Sequence, residues 1–217
     1  MSEQISYTSE LARKGIHLSS LLIPIVYMQM EHWTGIGILV GMTLTSLLID
    51  ILMHYHPTTR RIMHRLVGKM LRPHEVTAEV FRLTGASWVL IAATLTFLLF
   101  PKVISTTAFT VLIVSDTAAA LIGRRFGKRR FFDKTLVGTT FFVLTAIGVT
   151  AVYQTIFDAG QWFLVSGVVA SLVCGVVEAA SIRLKLDDNI SIPCSFALTM
   201  LAMNWLGQHI NMSSFLH

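Results

Sequence analysis

An aspartate lies within an apolar segment, and a dense basic segment follows it. Asp116 stands in the run AFTVLIVSDTAAALIG (108–123), and the chain continues as RRFGKRR (124–130). An ionised carboxylate in an apolar environment is costly, so we expect it to face a polar cavity or a bound cation. The two segments together therefore indicate a polar site beside apolar helices.

The basic segment carries groups that suit phosphate oxygens. Arg124, Arg125 and Lys128 offer charge-assisted hydrogen-bond donors. Gly123 and Gly127 frame the two arginines, and glycine allows a backbone to approach a ligand closely. This pattern predicts a loop that binds an anion.

A helix start follows the loop. Lys134 and Thr135 precede the residues GTT (138–140) and a long apolar run, and a helix N-terminus is a natural anion site. Asp116 can hold Mg²⁺, which bridges to phosphate, or it can accept the proton of an attacking hydroxyl. These features together describe a nucleoside triphosphate site, although the spacing is not that of a Walker P-loop.

The basic loop also has an ordinary explanation. Basic residues at helix ends set membrane topology and bind anionic lipid headgroups. That explanation covers the arginines, but it accounts neither for Asp116 nor for the Lys134-Thr135 helix start.

The composition indicates that lipid is the solvent of most of the chain. Of 217 residues, 53% are hydrophobic and 13% are charged, with a mean hydropathy of +0.66. A soluble domain usually carries about 25% charged residues. We therefore predict an all-α, polytopic integral membrane protein that forms a single transmembrane domain over residues 1–217. The predicted spans, about seven, are 16–31, 34–53, 85–100, 103–123, 137–157, 162–181 and 190–210.

The distribution of basic residues predicts the orientation. With these spans, Lys102 is the one member of the 17 lysines and arginines that lies on the opposite face from the rest. The positive-inside rule then places the N-terminus, and the face that carries the site, in the cytoplasm. The charged segment between the second and third spans has apolar residues at helical spacing, which predicts an amphipathic helix on the membrane surface.

Further acids fall on the same face as Asp116. Glu178 ends the sixth span, where it can be a second metal ligand or the ion-pair partner of Arg183. Asp187, Asp188 and Asn189 precede the seventh span. They can cap that helix or bind a metal or nucleotide, and the sequence leaves both alternatives open.

These motifs resemble those of the CTP-dependent lipid-alcohol kinases, which include dolichol kinase, phytol kinase and the CTP-dependent diacylglycerol kinase of fungi. That family shows a pattern like [GS]-D-x-x-A-x-x-x-G-[RK]-x-x-G, a basic stretch, and K-[ST]-x-x-G-[ST]. The matching residues here are Ser115-Asp116, Ala119, Gly123-Arg124, Gly127, Lys134-Thr135 and Gly138-Thr139. ARKGIHL (12–18) resembles the family's N-terminal R-K-x-x-H, and Glu178 with DDNISIP (187–193) resembles its late acidic element.

The resemblance implies a kinase that uses CTP and Mg²⁺ to phosphorylate the hydroxyl of a membrane lipid alcohol, either a prenol such as phytol, a polyprenol or diacylglycerol. It implies that Asp116 and Lys134 are catalytic and that Asp116, Glu178 and Asp187 hold metal. The expected nucleotide-binding residues are Arg13, Lys14, His17, Gly123, Arg124, Arg125, Gly127, Lys128, Thr135, Gly138, Thr139, Asp188 and Asn189. The expected partners are CTP, the lipid alcohol and the bilayer, with no nucleic acid.

Two other functions fit parts of the sequence. Phosphatidate cytidylyltransferases share the aspartate–glycine pattern and also use CTP, but their usual C-terminal signature is missing here. An ion-coupled transporter also buries acids, although it usually places them near the bilayer midplane. The clustering of the acids on one face favours the kinase over the transporter.

Overall fold

The computed structural model describes residues 7–67, 81, 83–184 and 187–216, and they are mostly helical. The helices are α1 (Tyr7–Ser19), α2 (Leu22–Met28), α3 (His32–Tyr55), α4 (Pro57–Val67), α5 (Gly85–Leu99), α6 (Lys102–Phe126), α7 (Leu136–Ile156), α8 (Gln161–Leu184) and α9 (Asp188–His209). Two short strands, β1 (Arg130–Phe131) and β2 (Lys134–Thr135), form an antiparallel hairpin between α6 and α7.

The prediction of an all-α integral membrane protein is confirmed. Five helices, α3, α6, α7, α8 and α9, are long and apolar enough to cross a membrane. Their ends lie within about three residues of the predicted ones. Two predicted spans differ in detail. The third, α5, has 15 residues, and the first is divided between α1 and α2 by a break at Ser20 and Leu21.

The predicted surface helix is present as α4. It follows α3 after a one-residue break at His56. Arg60 donates hydrogen bonds to the carbonyls of Met53 and His54, at 3.0 and 2.8 Å, and so satisfies groups that the end of α3 leaves open. Residues 68–80, over which this amphipathic segment was predicted to continue, lie outside the described residues.

Helix α6 is the centre of the bundle. About 72% of its most apolar stretch is buried by other parts of the protein, against 28% for α3. It packs against α1, α2, α5, α7 and α9. A helix surrounded in this way can hold a polar side chain away from lipid, and Asp116 lies on it.

A buried acid, Asp50, joins helices α3 and α5. It lies at the end of the bundle that carries the basic loops. Asp50 is 4% exposed and accepts hydrogen bonds from the backbone N–H and the hydroxyl of Thr84, at 2.9 and 3.3 Å. Because Thr84 is the N-cap of α5, Asp50 ties the start of that helix to the end of α3.

Three glycines allow α6 and α7 to approach closely. A Cβ atom on Gly123 would lie 2.8 Å from Thr135 Oγ1, and one on Gly138 would lie 3.0 Å from the carbonyl oxygen of Ala119. A Cβ on Gly127 would overlap the Gly123 carbonyl and lie 2.6 Å from Thr135 Cβ. These glycines were predicted to let a ligand approach the backbone. The space beside them is instead occupied by neighbouring protein atoms, because α7 begins directly against the last turn of α6.

We predict that Gly127→Ala destabilises the protein by about 1–3 kcal/mol, because the new methyl group must displace backbone or Thr135. Unfolding by denaturant in detergent micelles measures the change. Gly148→Ala is the matched control, since nothing lies within 4 Å of its Cβ position. That substitution should be neutral or stabilise α7 by up to about 1 kcal/mol. Equal effects of the two substitutions would contradict the close approach.

Candidate functional site

The two-residue turn of the β1–β2 hairpin is bound to the last turns of α8 through Asp133. The backbone N–H of Asp133 donates to the carbonyl of Ala179 at 3.0 Å. The Asp133 carboxylate accepts from the backbone N–H of Arg183 at 3.0 Å and from its Nε at 3.1 Å. One residue of the turn thus bonds to both ends of one turn of α8. The anchor fixes the position of the next residue, Lys134.

Lys134 lies between acids from two other helices. Its Nζ is 3.0 Å from Asp188 Oδ2 at the start of α9 and 3.2 Å from Glu178 Oε1 near the end of α8. The Glu178 side chain is 3% exposed and that of Lys134 is 30% exposed. Burial opposes the charged amine, but the carboxylates of Asp188, Glu178 and Asp116 outweigh it and raise the pKa of Lys134. The carboxylates around Lys134 therefore favour its charged form.

A second ion pair joins α1 to α6. Lys14 Nζ donates to Asp116 Oδ2, and the two side chains are 6% and 15% exposed. His17, one turn further along α1, places its Nε2 3.8 Å from the same carboxylate oxygen. The basic residues of α1 therefore face α6 and the interior of the bundle. The field of Asp116 also reaches Lys134, so the two ion pairs belong to one cluster.

Several buried polar atoms near these ion pairs have no hydrogen-bond partner among the described residues. They are Ser115 Oγ, Thr117 Oγ1, Thr139 Oγ1, Glu178 Oε2, Ser181 Oγ, Asp188 Oδ1 and Ser191 Oγ. Buried polar groups are normally paired, because leaving one unpaired costs about 1–3 kcal/mol. Atoms of this kind on α6, α7, α8 and α9 have hydrogen bonds to offer to water, an ion or a polar ligand.

The structure brings together part of the predicted set of residues. Lys14, His17, Asp116, Lys134, Glu178 and Asp188 form the cluster of ion pairs. Arg124, Arg125 and Lys128 are exposed at its rim, and Arg13 is half-buried on α1. Arg125 lies with its Cζ 5.3 Å from the centroid of the Phe126 ring. The predicted phosphate-binding residues are thus divided into one half-buried lysine, Lys134, and a basic surface beside it.

The two predicted threonines differ in their surroundings. Thr135 is the N-cap of α7, as the helix start in the sequence suggested, and its Oγ1 accepts from the backbone N–H of Gly138 at 3.2 Å. Thr139 is buried, and its hydroxyl is among the unpartnered atoms. Thr139 is therefore the hydroxyl with a bond to offer a ligand, and Thr135 holds the helix start in place.

The acidic element before α9 is divided between capping and the cluster. Asp187 is the N-cap of α9, where it accepts from the backbone N–H of Asn189 at 2.9 Å and from its Nδ2 at 2.8 Å. Asp188 turns the other way, toward Lys134. Glu178 was considered as a partner of Arg183, and that alternative is wrong: Glu178 pairs with Lys134, and Arg183 pairs with Asp133.

The donor set can be tested for a metal ion. Carboxylate and hydroxyl oxygens are the ligands that Mg²⁺ prefers, and Glu178 Oε2 and Asp188 Oδ1 are free to bind it. Within the described part of the chain, no three His, Cys, Asp or Glu side chains converge on one point. Mg²⁺ in nucleotide sites usually takes one or two carboxylates together with substrate phosphates, so this donor set fits a metal that arrives with a nucleotide.

Sequence reasoning missed two features of the site. Asp133 received no role, although it directly precedes Lys134, because the hairpin turn that it occupies was not predicted. Lys14 was assigned to the nucleotide, whereas the structure pairs it with Asp116. No local pattern indicated this second contact, because 102 residues separate the two side chains.

Comparison with known proteins gives a distant and partial similarity. The chain is 27% identical over 190 residues to an uncharacterised protein of Rickettsia prowazekii (strain Madrid E), covering 88% of this chain and 92% of that protein. It is 33% identical over 104 residues to a probable chloroplastic phytol kinase 3 of Glycine max. That alignment covers 44% of this chain and 33% of the plant protein. No family model matches the chain, and no solved structure matches it.

We predict that Lys134→Met and Glu178→Gln are coupled in stability. Lys134→Met alone leaves Glu178 buried without its cation, whereas adding Glu178→Gln removes the stranded charge, so the double variant should recover part of the loss. The expected coupling is about 1–3 kcal/mol, measured by unfolding in detergent micelles.

Lys102→Met is the control for this cycle. Lys102 lies at the opposite end of the bundle and donates to the Met30 carbonyl at 2.9 Å. Its effect should add to that of Glu178→Gln without coupling. If the stability losses of Lys134→Met and Glu178→Gln simply add in the double variant, the two side chains do not form a stabilising ion pair.

Proposed function

We propose that this protein is a kinase that transfers the terminal phosphoryl group of CTP to the hydroxyl of a membrane lipid alcohol. The observation that carries the proposal is the Lys134 cluster, in which a lysine lies between the carboxylates of Glu178 and Asp188 at one end of a membrane bundle that also carries an exposed basic loop. The distant similarity to a probable phytol kinase supports the same reaction class. We place this end of the bundle in the cytoplasm, where the basic residues would lie by the positive-inside rule.

The proposed reaction is an in-line phosphoryl transfer. The hydroxyl oxygen of the acceptor forms a bond to the γ-phosphorus, and the bond from that phosphorus to the oxygen it shares with the β-phosphate breaks. The products are a lipid phosphate and CDP. The proton of the hydroxyl passes to a carboxylate of the cluster. Asp116 is the candidate, since Glu178 and Asp188 are better placed to hold the metal through their unpartnered oxygens. Such catalysis consists mainly of positioning and charge stabilisation.

The residues of the chain have separate roles in this proposal. Lys134 neutralises charge that builds up on the phosphate oxygens. Thr139 donates its free hydroxyl, and Arg124, Arg125 and Lys128 attract the nucleotide from the aqueous side. Lys14 and His17 on α1 hold the Asp116 carboxylate in one orientation. The acceptor's hydrocarbon part stays in the bilayer.

Mg²⁺ is the proposed cofactor. Glu178 and Asp188 would hold it through the oxygens that have no partner, and Asp116 is a further candidate ligand. When bound, Mg²⁺ neutralises charge on the phosphates. Asp187 is less suited than Asp188 to this role, because its carboxylate already caps α9.

The first experiment follows the label of CTP. Purified protein in detergent with Mg²⁺ receives CTP labelled at the α or the γ phosphate, and a panel of phytol, farnesol, a polyprenol, diacylglycerol and phosphatidate. We expect γ-label in a lipid phosphate. Label from the α position in a liponucleotide would instead make the protein a cytidylyltransferase. Absence of label from both products would contradict the enzyme and favour a test of transport.

We predict that Asp116→Asn lowers turnover at least about 100-fold while the protein stays folded, because the amide can neither accept the proton nor bind metal as a carboxylate does. Asp50→Asn is the matched control, since Asp50 is another acid held inside the bundle, 4% exposed, and lies outside the cluster. Its amide oxygen can still accept from Thr84, so activity should be retained. Full activity of Asp116→Asn would exclude the role given to this residue.

A further inference from the structure

The turn of the hairpin holds an aromatic side chain in an unusual backbone conformation. Phe132 has a φ of 51°, in the left-handed region that bulky residues normally avoid. At the first position of a two-residue hairpin turn, glycine is the usual residue when φ is positive. The chain accepts this cost at the residue that precedes Asp133 and Lys134. A strained residue beside a functional side chain is a reason to look for a role.

The Phe132 ring is partly exposed and is not packed into the core. The residue is 43% exposed, although phenylalanine is among the side chains most often buried. The ring of Phe131 lies against it with centroids 4.8 Å apart and planes at 73°. The Arg183 guanidinium carbon lies 5.4 Å from the ring centroid. A ring accompanied by an exposed guanidinium faces an aqueous, charged surface, which distinguishes it from a ring inserted into hydrocarbon.

The position of the ring is fixed relative to the phosphate-binding lysine. Asp133 ties the turn to Ala179 and Arg183 of α8, and Lys134 follows at once. Two residues span at most about 7 Å of backbone, a separation within the length of one nucleotide. A triphosphate at Lys134 can therefore extend its nucleoside end over the turn.

We propose that Phe132 is the platform on which the base of the bound nucleotide stacks. The proposal rests on the proposed function, since it assigns a base subsite to the nucleotide whose phosphates meet Lys134. Stacking on an aromatic ring uses the face that every base has, so this contact contributes affinity without selecting cytosine. Arg183, held by Asp133, supports the ring from its side, where a cation over an aromatic face is favourable.

The test uses substitutions that separate the ring from the backbone. Phe132→Gly removes the ring and also relieves the positive φ, so the variant should be at least as stable as the wild type. Its affinity for CTP, measured by equilibrium binding in detergent, should fall roughly 5- to 150-fold, the loss expected for one base–aromatic stack. Inorganic tripolyphosphate carries no base, and its affinity should change less than about twofold. Phe132→Trp should retain CTP binding.

Trp205→Ala is the matched control, since Trp205 is another exposed aromatic, 62% exposed, near the end of α9 that lies away from the cluster. It should leave CTP affinity unchanged. If the wild type binds CTP and Phe132→Gly binds it equally well, the platform is excluded while the proposed function stands. Equal losses for CTP and tripolyphosphate would assign Phe132 to the placement of Lys134 and also overturn the platform. A wild type that binds no CTP would overturn the proposed function together with the platform.

Discussion

The site depends on the neutralisation of buried carboxylates by lysines that come from other parts of the chain. Glu178 is almost fully buried and Asp116 nearly so, and each has a lysine ammonium against it. Breaking a buried pair by removal of one partner costs about 3–5 kcal/mol, so neither acid is tolerable alone. Because each acid needs a cation, Lys14 and Lys134 lie inside the bundle. The segments that carry them, α1 and β2, are held against it as a result.

The neighbouring structure serves this requirement. Lys134 reaches Glu178 because Asp133 anchors the hairpin to α8, and because α7 can begin directly against α6. That second condition needs Gly123, Gly127 and Gly138, whose Cβ positions are occupied by neighbouring atoms. The glycines of the motif act on the site indirectly, by letting two helices meet, and Thr135 completes the junction as the cap of α7.

The sequence predicted the spanning helices well and the contacts between them poorly. Apolar length and basic loops determine where a membrane helix begins and ends, so the predicted limits of α6 to α9 agree closely with the structure. The break between α1 and α2 was not predicted, because the apolar run continues through it. The pairing of Lys14 with Asp116 and the role of Asp133 depend on packing between distant segments, which no local pattern encodes. Asp187 and Asp188 are adjacent aspartates, so the sequence does not tell their roles apart. The position at which α9 begins makes Asp187 the N-cap and directs Asp188 toward Lys134.

The pairing also bears on how a membrane bundle could admit a polyanion. The cluster of Asp116, Glu178 and Asp188 with Lys14 and Lys134 carries three formal negative and two formal positive charges, and so it is nearly balanced before any ligand binds. In the proposed function, a nucleotide accompanied by Mg²⁺ brings both signs of charge. Its phosphates can replace Glu178 and Asp188 against Lys134, and the metal can replace the lysine against those carboxylates. Such an exchange buries less new net charge than a nucleotide without its metal would bring, whereas a site of lysines alone would repel itself before the ligand arrived.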